Sequence, residues 1–261
     1  KNGLKVLMIP MKDNPTVTVL SLVETGSKYE NKENNGISHF LEHMCFKGTE
    51  RRPKATDISL ELDSIGSQYN AFTGQEYTGY YAKSDAKHFK KIFDVVTDIY
   101  LNSTFPETEI EKEKGVIIEE INMYEDMPAR HVQDMIMELL YGDTPAGWNI
   151  AGPKENILKM KREDFVNYKK IHYVPNATTL VIAGNIKPVE VMKEVNKTFG
   201  KISQTKKGNK VKTKENQTKP EVLIKFKETD QTHFVLAFRS FDLNNKKNRI
   251  LSILSGILGA G

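Results

Sequence analysis

His39, Glu42 and His43 stand together in Ser38-His39-Phe40-Leu41-Glu42-His43-Met44. Positions 0, 3 and 4 of a helix share one face, so on a helix the three side chains project together. Two imidazoles one turn apart can bind one zinc ion. A carboxylate beside them can accept a proton from a water that the ion activates. The order is HxxEH, the reverse of HExxH. The competing reading is a polar helix face on which two histidines and a glutamate meet without a metal.

A catalytic zinc needs a third protein ligand and an open position for water. Cys45 is the only cysteine, so a Cys-based zinc site and an intrachain disulfide are both excluded; the thiol reads as buried and structural. His88, His131, His172 and His233 are isolated and read as structural or surface residues, which points to an acidic ligand. The helix expected after Pro106 offers one. Glu113, Val116, Ile117, Glu120 and Tyr124 share one helical stripe, and the two glutamates interrupt its apolar run. Glu119 lies about 100° away, on the polar side. A buried carboxylate is costly unless it is paired, hydrogen-bonded or bound to metal, so Glu113 or Glu120 completes the site; the competing reading is a pair of buried acids satisfied by Arg, Lys or backbone groups. They are separated by about 10.5 Å along a helix, too far to share one ion. The one that is not a ligand can orient a ligand imidazole through its free N–H.

These residues need elements to position them. Residues 4–9 and 16–23 read as strands, separated by the turn Asp13-Asn14-Pro15, and 37–46 and 56–65 read as helices. Strands at 66–72 and 77–82 are joined by Thr73-Gly74-Gln75-Glu76. Ser84-Asp85 can cap the helix carrying Phe89, Ile92, Phe93, Val96 and Tyr100. Further helices are expected from Pro106 to about 126, at 132–140, 164–172, 188–199 and 250–258. Residues 141–156 read as a loop, and strands are expected at 178–183, 222–226 and 233–238. Strands and helices mix without strict alternation. That predicts an α+β fold with a mixed, largely antiparallel sheet flanked by helices.

At 261 residues, 38% apolar and 28% charged, the composition excludes a disordered chain, and no run is apolar enough to span a membrane. The net charge of +4 hints at nucleic acid, but its distribution does not. Residues 201–220 hold seven Lys and one Glu and no aromatic residue, which leaves the rest of the chain slightly acidic. That stretch reads as a solvated linker and not as a nucleic-acid surface. The domains are therefore expected at 1–200, with the linker at 201–220 and the start of a second domain at 221–261.

Gly36-Ile37-Ser38-His39-Phe40-Leu41-Glu42-His43-Met44, followed by Phe46-Lys47-Gly48-Thr49, resembles the inverted-zincin peptidases of the pitrilysin/insulinase group. The likeness is greatest to their smaller, processing-peptidase-like branch. Glu113-Lys114-Gly115-Val116-Ile117-Ile118-Glu119-Glu120-Ile121 is similar to the group's downstream acidic motif. The resemblance assigns Glu120 as third zinc ligand and Glu113 as the supporting glutamate. It extends over the chain, through Asn2-Gly3-Leu4-Lys5-Val6, Tyr173-Val174-Pro175-Asn176-Ala177 and Ala183-Gly184-Asn185-Ile186. Thr144-Pro145-Ala146-Gly147-Trp148 departs from the His-Pro-Leu-Gly of many members, which bears on local loop contacts only.

The resemblance implies a zinc-dependent endopeptidase acting on peptides or presequence-like segments, with one Zn2+ per chain and Glu42 as general base. Ser67-Gln68-Tyr69-Asn70-Ala71-Phe72-Thr73 is similar to the group's substrate-binding edge strand, with Asn70, Ala71 and Phe72 as the contact candidates. The alternative there is an ordinary internal strand. The resemblance further implies a closed chamber built from two-domain subunits, as a homo- or heterodimer. In that chamber a second half supplies an Arg and a Tyr after a Gly-rich turn. Because the sequence stops at such a turn, it is expected to be an N-terminal fragment that binds zinc without robust turnover. The implied location is the bacterial cytoplasm or the mitochondrial matrix. The competing class is a noncatalytic, chamber-forming or scaffold subunit. Such subunits usually lack part of the HxxEH set, which is complete here.

Overall fold

The computed structural model of the protein describes residues 2–202, 204–215, 217–228 and 230–260. Ser203 and Asn216 of the Lys-rich stretch, and the terminal Lys1 and Gly261, lie outside the described residues. The described chain forms two units, Lys1–Ile224 and Lys225–Gly261.

The first unit is built on one five-stranded sheet. Its strands are β1 (Lys5–Pro10), β2 (Thr16–Val23), β3 (Gln68–Thr73), β4 (Thr78–Asp85) and β5 (Thr178–Gly184), in the order β1-β5-β2-β4-β3. Only β1 and β5 run parallel, and the other three pairings are antiparallel. The α+β expectation, with its mixed and largely antiparallel sheet, is met. Strand alternation explains β2: Val17, Val19 and Val23 are buried, while Thr16, Thr18, Leu20 and Leu22 face the other way.

Helix α1 (Ile37–Cys45) lies against β3, and so does α2 (Ala55–Asp63). Helix α3 (Phe89–Asn102) covers β2 and β4 with Ile92, Phe93, Val96, Ile99 and Tyr100, all buried. Helix α4 (Glu107–Asp126) packs on α1 and on α5 (Pro128–Tyr141). A short helix, α6 (Lys154–Lys159), forms in the stretch read as the end of a loop, because Ile157 is fully buried and anchors it. Helix α7 (Arg162–His172) packs on α1, and α8 (Pro188–Phe199) buries Val191, Val195 and Phe199. No described helix is long and apolar enough to cross a membrane.

Two sequence-predicted strands are corrected. Among the described residues, 222–226 and 233–238 form no strand. Their β-branched and aromatic composition suits a sheet, but backbone N–H and C=O groups pair only when a partner strand is present. Among the described residues no strand pairs with either segment, and Phe226, Phe234 and Phe238 are all more than 80% exposed. In the second unit the regular structure is α9 (Asn248–Ser255) and the turns that continue it to Ala260.

The Lys-rich stretch is irregular, as its composition implies, yet part of it is tied to the first unit. Lys207 pairs with Glu24 at 2.6 Å and Lys210 with Glu76 at 2.5 Å. The backbone N–H groups of Gly208 and Val211 donate to Ile171 and Lys28 carbonyls.

Candidate metal centre

Helix α1 starts abruptly after Gly36. That residue has φ 103°, and a Cβ there would sit 2.6 Å from the Ala151 carbonyl oxygen, so only glycine fits. The helix N-terminus is capped from a distance by the buried Glu30. Its Oε2 accepts from the Gly36 N–H at 2.9 Å and from Asn35 Nδ2 at 2.8 Å, and its Oε1 accepts from the Ser38 N–H at 2.8 Å. A carboxylate at this end satisfies orphan N–H donors and complements the helix dipole. Burial pushes the Glu30 carboxyl above its usual range, and these hydrogen bonds oppose the rise. The Ser38 hydroxyl adds a bond to Tyr168 of α7 at 2.8 Å.

Ile37, Phe40, Leu41, Met44 and Cys45 then bury the core face of α1, and Cys45 is a fully buried free thiol. His39, Glu42 and His43 are left half-buried on the remaining face. Their rings and carboxylate meet α4. Glu120 Oε2 lies 3.7 Å from His39 Nε2 and 3.6 Å from His43 Nε2, and the two imidazole centroids are 4.7 Å apart. The three donor atoms all lie within 4.8 Å of one another.

A tetrahedral zinc with bonds of about 2.0–2.1 Å separates its ligand atoms by about 3.4 Å. The observed 3.6 and 3.7 Å fall close to that edge. The protonation state of His39 fits as well. Burial, and then the neighbouring His43, push His39 down to about 3, so its ring stays neutral with one nitrogen lone pair to donate. His39 Nδ1 is buried and has no hydrogen-bond partner among the described residues. His43 Nδ1 lies 2.9 Å from Glu113 Oε1, which fixes the tautomer and leaves Nε2 free to ligate. Burial lowers the His43 pKa, but Glu113, Glu42 and Glu120 outweigh it and the net direction is upward. The donor set is therefore two imidazole nitrogens and one carboxylate oxygen, which suits zinc.

Glu113 is buried and has a second partner, Lys47 Nζ, at 2.6 Å from Oε2. Burial raises the Glu113 pKa, but the bonds from His43 and Lys47 prevail and hold it below the usual carboxylate range. The apolar stripe on α4 is narrower than the sequence pattern implies. Ile110, Glu113, Ile117 and Ile121 are buried, whereas Val116 is exposed. Glu119 is exposed, away from the cluster.

Glu42 sits beside the donor triad. Burial raises its carboxyl, and Glu120 adds to the rise, while a hydrogen bond from Thr73 and the charge of His43 oppose it. The Thr73 hydroxyl donates to Glu42 Oε2. Thr73 ends β3, which among the described residues pairs only with β4 and is thus an edge of this sheet, not an internal strand. Of the three strand candidates, Ala71 shares the Thr73 face, while Asn70 and Phe72 point to the other face. Asn70 Oδ1 accepts from the Ala71 N–H at 2.9 Å. The Phe72 ring covers Gly79 of β4, where a Cβ would lie 2.3 Å from Phe72 Cζ.

Sequence reasoning missed Glu30, Thr73 and the role of Lys47. Lys47 stood in a quoted motif without a partner. Glu30 lies seven residues ahead of its helix, beyond ordinary capping distance, so no local signal marks it. Thr73 meets Glu42 only through the packing of β3 on α1.

Two family models match the chain: Insulinase (Peptidase family M16) over residues 5–154, and Peptidase M16 inactive domain over residues 159–261. An uncharacterized zinc protease of Bacillus subtilis, YmxG, is 38% identical over 99% of this chain and 62% of its own length. The mitochondrial-processing peptidase subunit beta of Bos taurus is 39% identical over 80% of this chain and 42% of its own. The chain thus spans less than two thirds of either relative. Among solved structures, a protease from Helicobacter pylori has a TM-score of 0.77 at 24% identity, covering 83% of this chain and 53% of that one. Pitrilysin has a TM-score of 0.74 at 20% identity, with 83% and 24% coverage; both establish the shared fold. On the matched models and the sequence identity to these relatives, the chain belongs to peptidase family M16, the insulinase family.

Proposed function

We propose that the protein is a zinc-dependent endopeptidase that hydrolyses peptide bonds in extended peptides, presequence-like segments among them. The observation that carries this reading is the convergence of His39 Nε2, His43 Nε2 and Glu120 Oε2 beside the Glu42 carboxylate. His39, His43 and Glu120 would hold one zinc ion per chain. When bound, zinc supplies Lewis-acid polarisation of the scissile carbonyl and lowers the pKa of a water.

The chain's own groups supply the rest. Glu42 takes the proton of the water that attacks the scissile carbonyl and passes it to the departing nitrogen. A carboxylate raised by burial is suited to both halves of that transfer. Glu113 holds His43 in the ligating tautomer, and Lys47 neutralises Glu113. The free edge of β3 offers unpaired backbone groups to which an extended peptide can add as a further strand. Such pairing tolerates many side-chain sequences. It carries Asn70, Ala71 and Phe72 as contacts, with Ala71 on the face toward Glu42.

Names of the relatives support the peptidase class, and the complete set of His39, Glu42, His43 and Glu120 favours an enzyme over a noncatalytic chamber subunit. Assembly as a homo- or heterodimer of two-domain subunits, in the bacterial cytoplasm or the mitochondrial matrix, is part of the same proposal. Cleavage of an unstructured peptide by the intact protein and by Glu42→Gln tests it. The variant should retain zinc and lose about two to four orders of magnitude in kcat. Wild-type turnover by Glu42→Gln would remove Glu42 from the chemistry.

A further inference from the structure

A carboxylate that serves as a base must keep one oxygen within about 2.6–3.2 Å of the proton it takes. Glu42 is held by little of its own. It stands on the half-buried face of α1, and the terminal torsion of a glutamate is broad. Among the described residues one side chain is seen to fix it: the Thr73 hydroxyl, donating to Oε2. That leaves Oε1 for proton transfer.

Thr73 is itself firmly placed. Its backbone pairs with Thr78 of β4. Thr78 is fully buried and donates its hydroxyl to the Thr25 carbonyl at 3.0 Å. A β-branched side chain on a strand has few χ1 choices, so the hydroxyl cannot wander. Strand alternation aims Thr73, with Ala71, at the α1 side, whereas Phe72 lies on the opposite face, over Gly79.

We propose that Thr73 is a positioning residue for Glu42. The strand that would register the peptide backbone also aims the base, so substrate register and proton transfer are fixed by one rigid element. The inference rests on the reading of Glu42 as general base.

The test uses Thr73→Val, which keeps shape and removes the hydroxyl, and Thr73→Ser, which keeps the hydroxyl. Both are made in the intact protein beside Glu42→Gln. Thr73→Val should retain its zinc and keep KM within about twofold, while kcat falls about tenfold to a hundredfold. Thr73→Ser should recover most of that loss. A second readout needs no turnover. In metal-free protein, the shifts in urea midpoint caused by Thr73→Val and Glu42→Ala should not add in the double variant, because the two side chains share one bond. Unchanged kcat in Thr73→Val, equal loss in Thr73→Ser, or strict additivity in urea would each overturn the proposal. If Glu42→Gln is inactive and Thr73→Val is not impaired, only the positioning role fails. If Glu42→Gln cleaves at the wild-type rate, the general-base reading fails and takes this proposal with it.

Discussion

Glu113 shows how much of the centre depends on single atoms. One oxygen faces His43 Nδ1 and the other faces Lys47 Nζ. A neutral substitute would keep the volume and lose the orienting charge. A different histidine, His172, is buried for packing alone. It lies between Tyr29 and Tyr168, with ring centroids 5.7 and 4.2 Å away, and Gly208 closes over it. Burial pushes its pKa down to about 4, against about 6.5 in an unfolded chain. As pH falls below about 6.5 the unfolded state takes a proton that the folded state refuses, so stability falls until about pH 4. The stability advantage of wild type over His172→Gln should therefore be constant above pH 7 and shrink between pH 6.5 and 4. Urea unfolding across that range measures it, and parallel curves would contradict the assignment. His39, Glu42 and His43 were legible in the sequence because helix geometry alone brings them together. Glu113 and Glu120 were legible as acids on an apolar stripe. Thr73 was not, because its partner lies 31 positions away and only the packing of strand on helix joins them.

At the scale of elements, α1 carries most of the site and its N-terminus hangs on one buried carboxylate. Glu30→Ala would strand the N–H groups of Gly36 and Ser38 in a dry environment. Two charge-assisted bonds of this kind are together worth about 3 kcal/mol or more. Urea unfolding should show that loss, and zinc affinity should fall with it; a loss below about 1 kcal/mol would mean that water replaces the carboxylate. Sequence pattern located the sheet strands and α8 well, since period and punctuation are local. It failed at 222–226 and 233–238, where composition favours strand but pairing is nonlocal and no strand pairs with them among the described residues. It also missed α6, whose single anchor, Ile157, is too little for a periodic signal.

Across the whole molecule, β5 lies between β1 and β2 and completes the sheet from late in the chain. The residues matched by the second family model, 159–261, include it, so the first unit draws on both matched segments. The Lys-rich stretch explains the net charge, yet Lys207 and Lys210 fasten it to Glu24 and Glu76. Exposed pairs of this kind contribute about 0–1 kcal/mol each, so they guide the path of the segment more than they stabilise the fold. Everything functional in this account rests on one convergence, that of α1 and α4 on a single ion. Zinc content of the purified, intact protein tests it most directly. Wild type should hold about one zinc per chain, as should Glu119→Ala, whose side chain is exposed. His39→Ala, His43→Ala and Glu120→Ala should each lose it while remaining folded. Zinc retained by a folded Glu120→Ala, or absent from the wild type in zinc-replete buffer, would contradict the account.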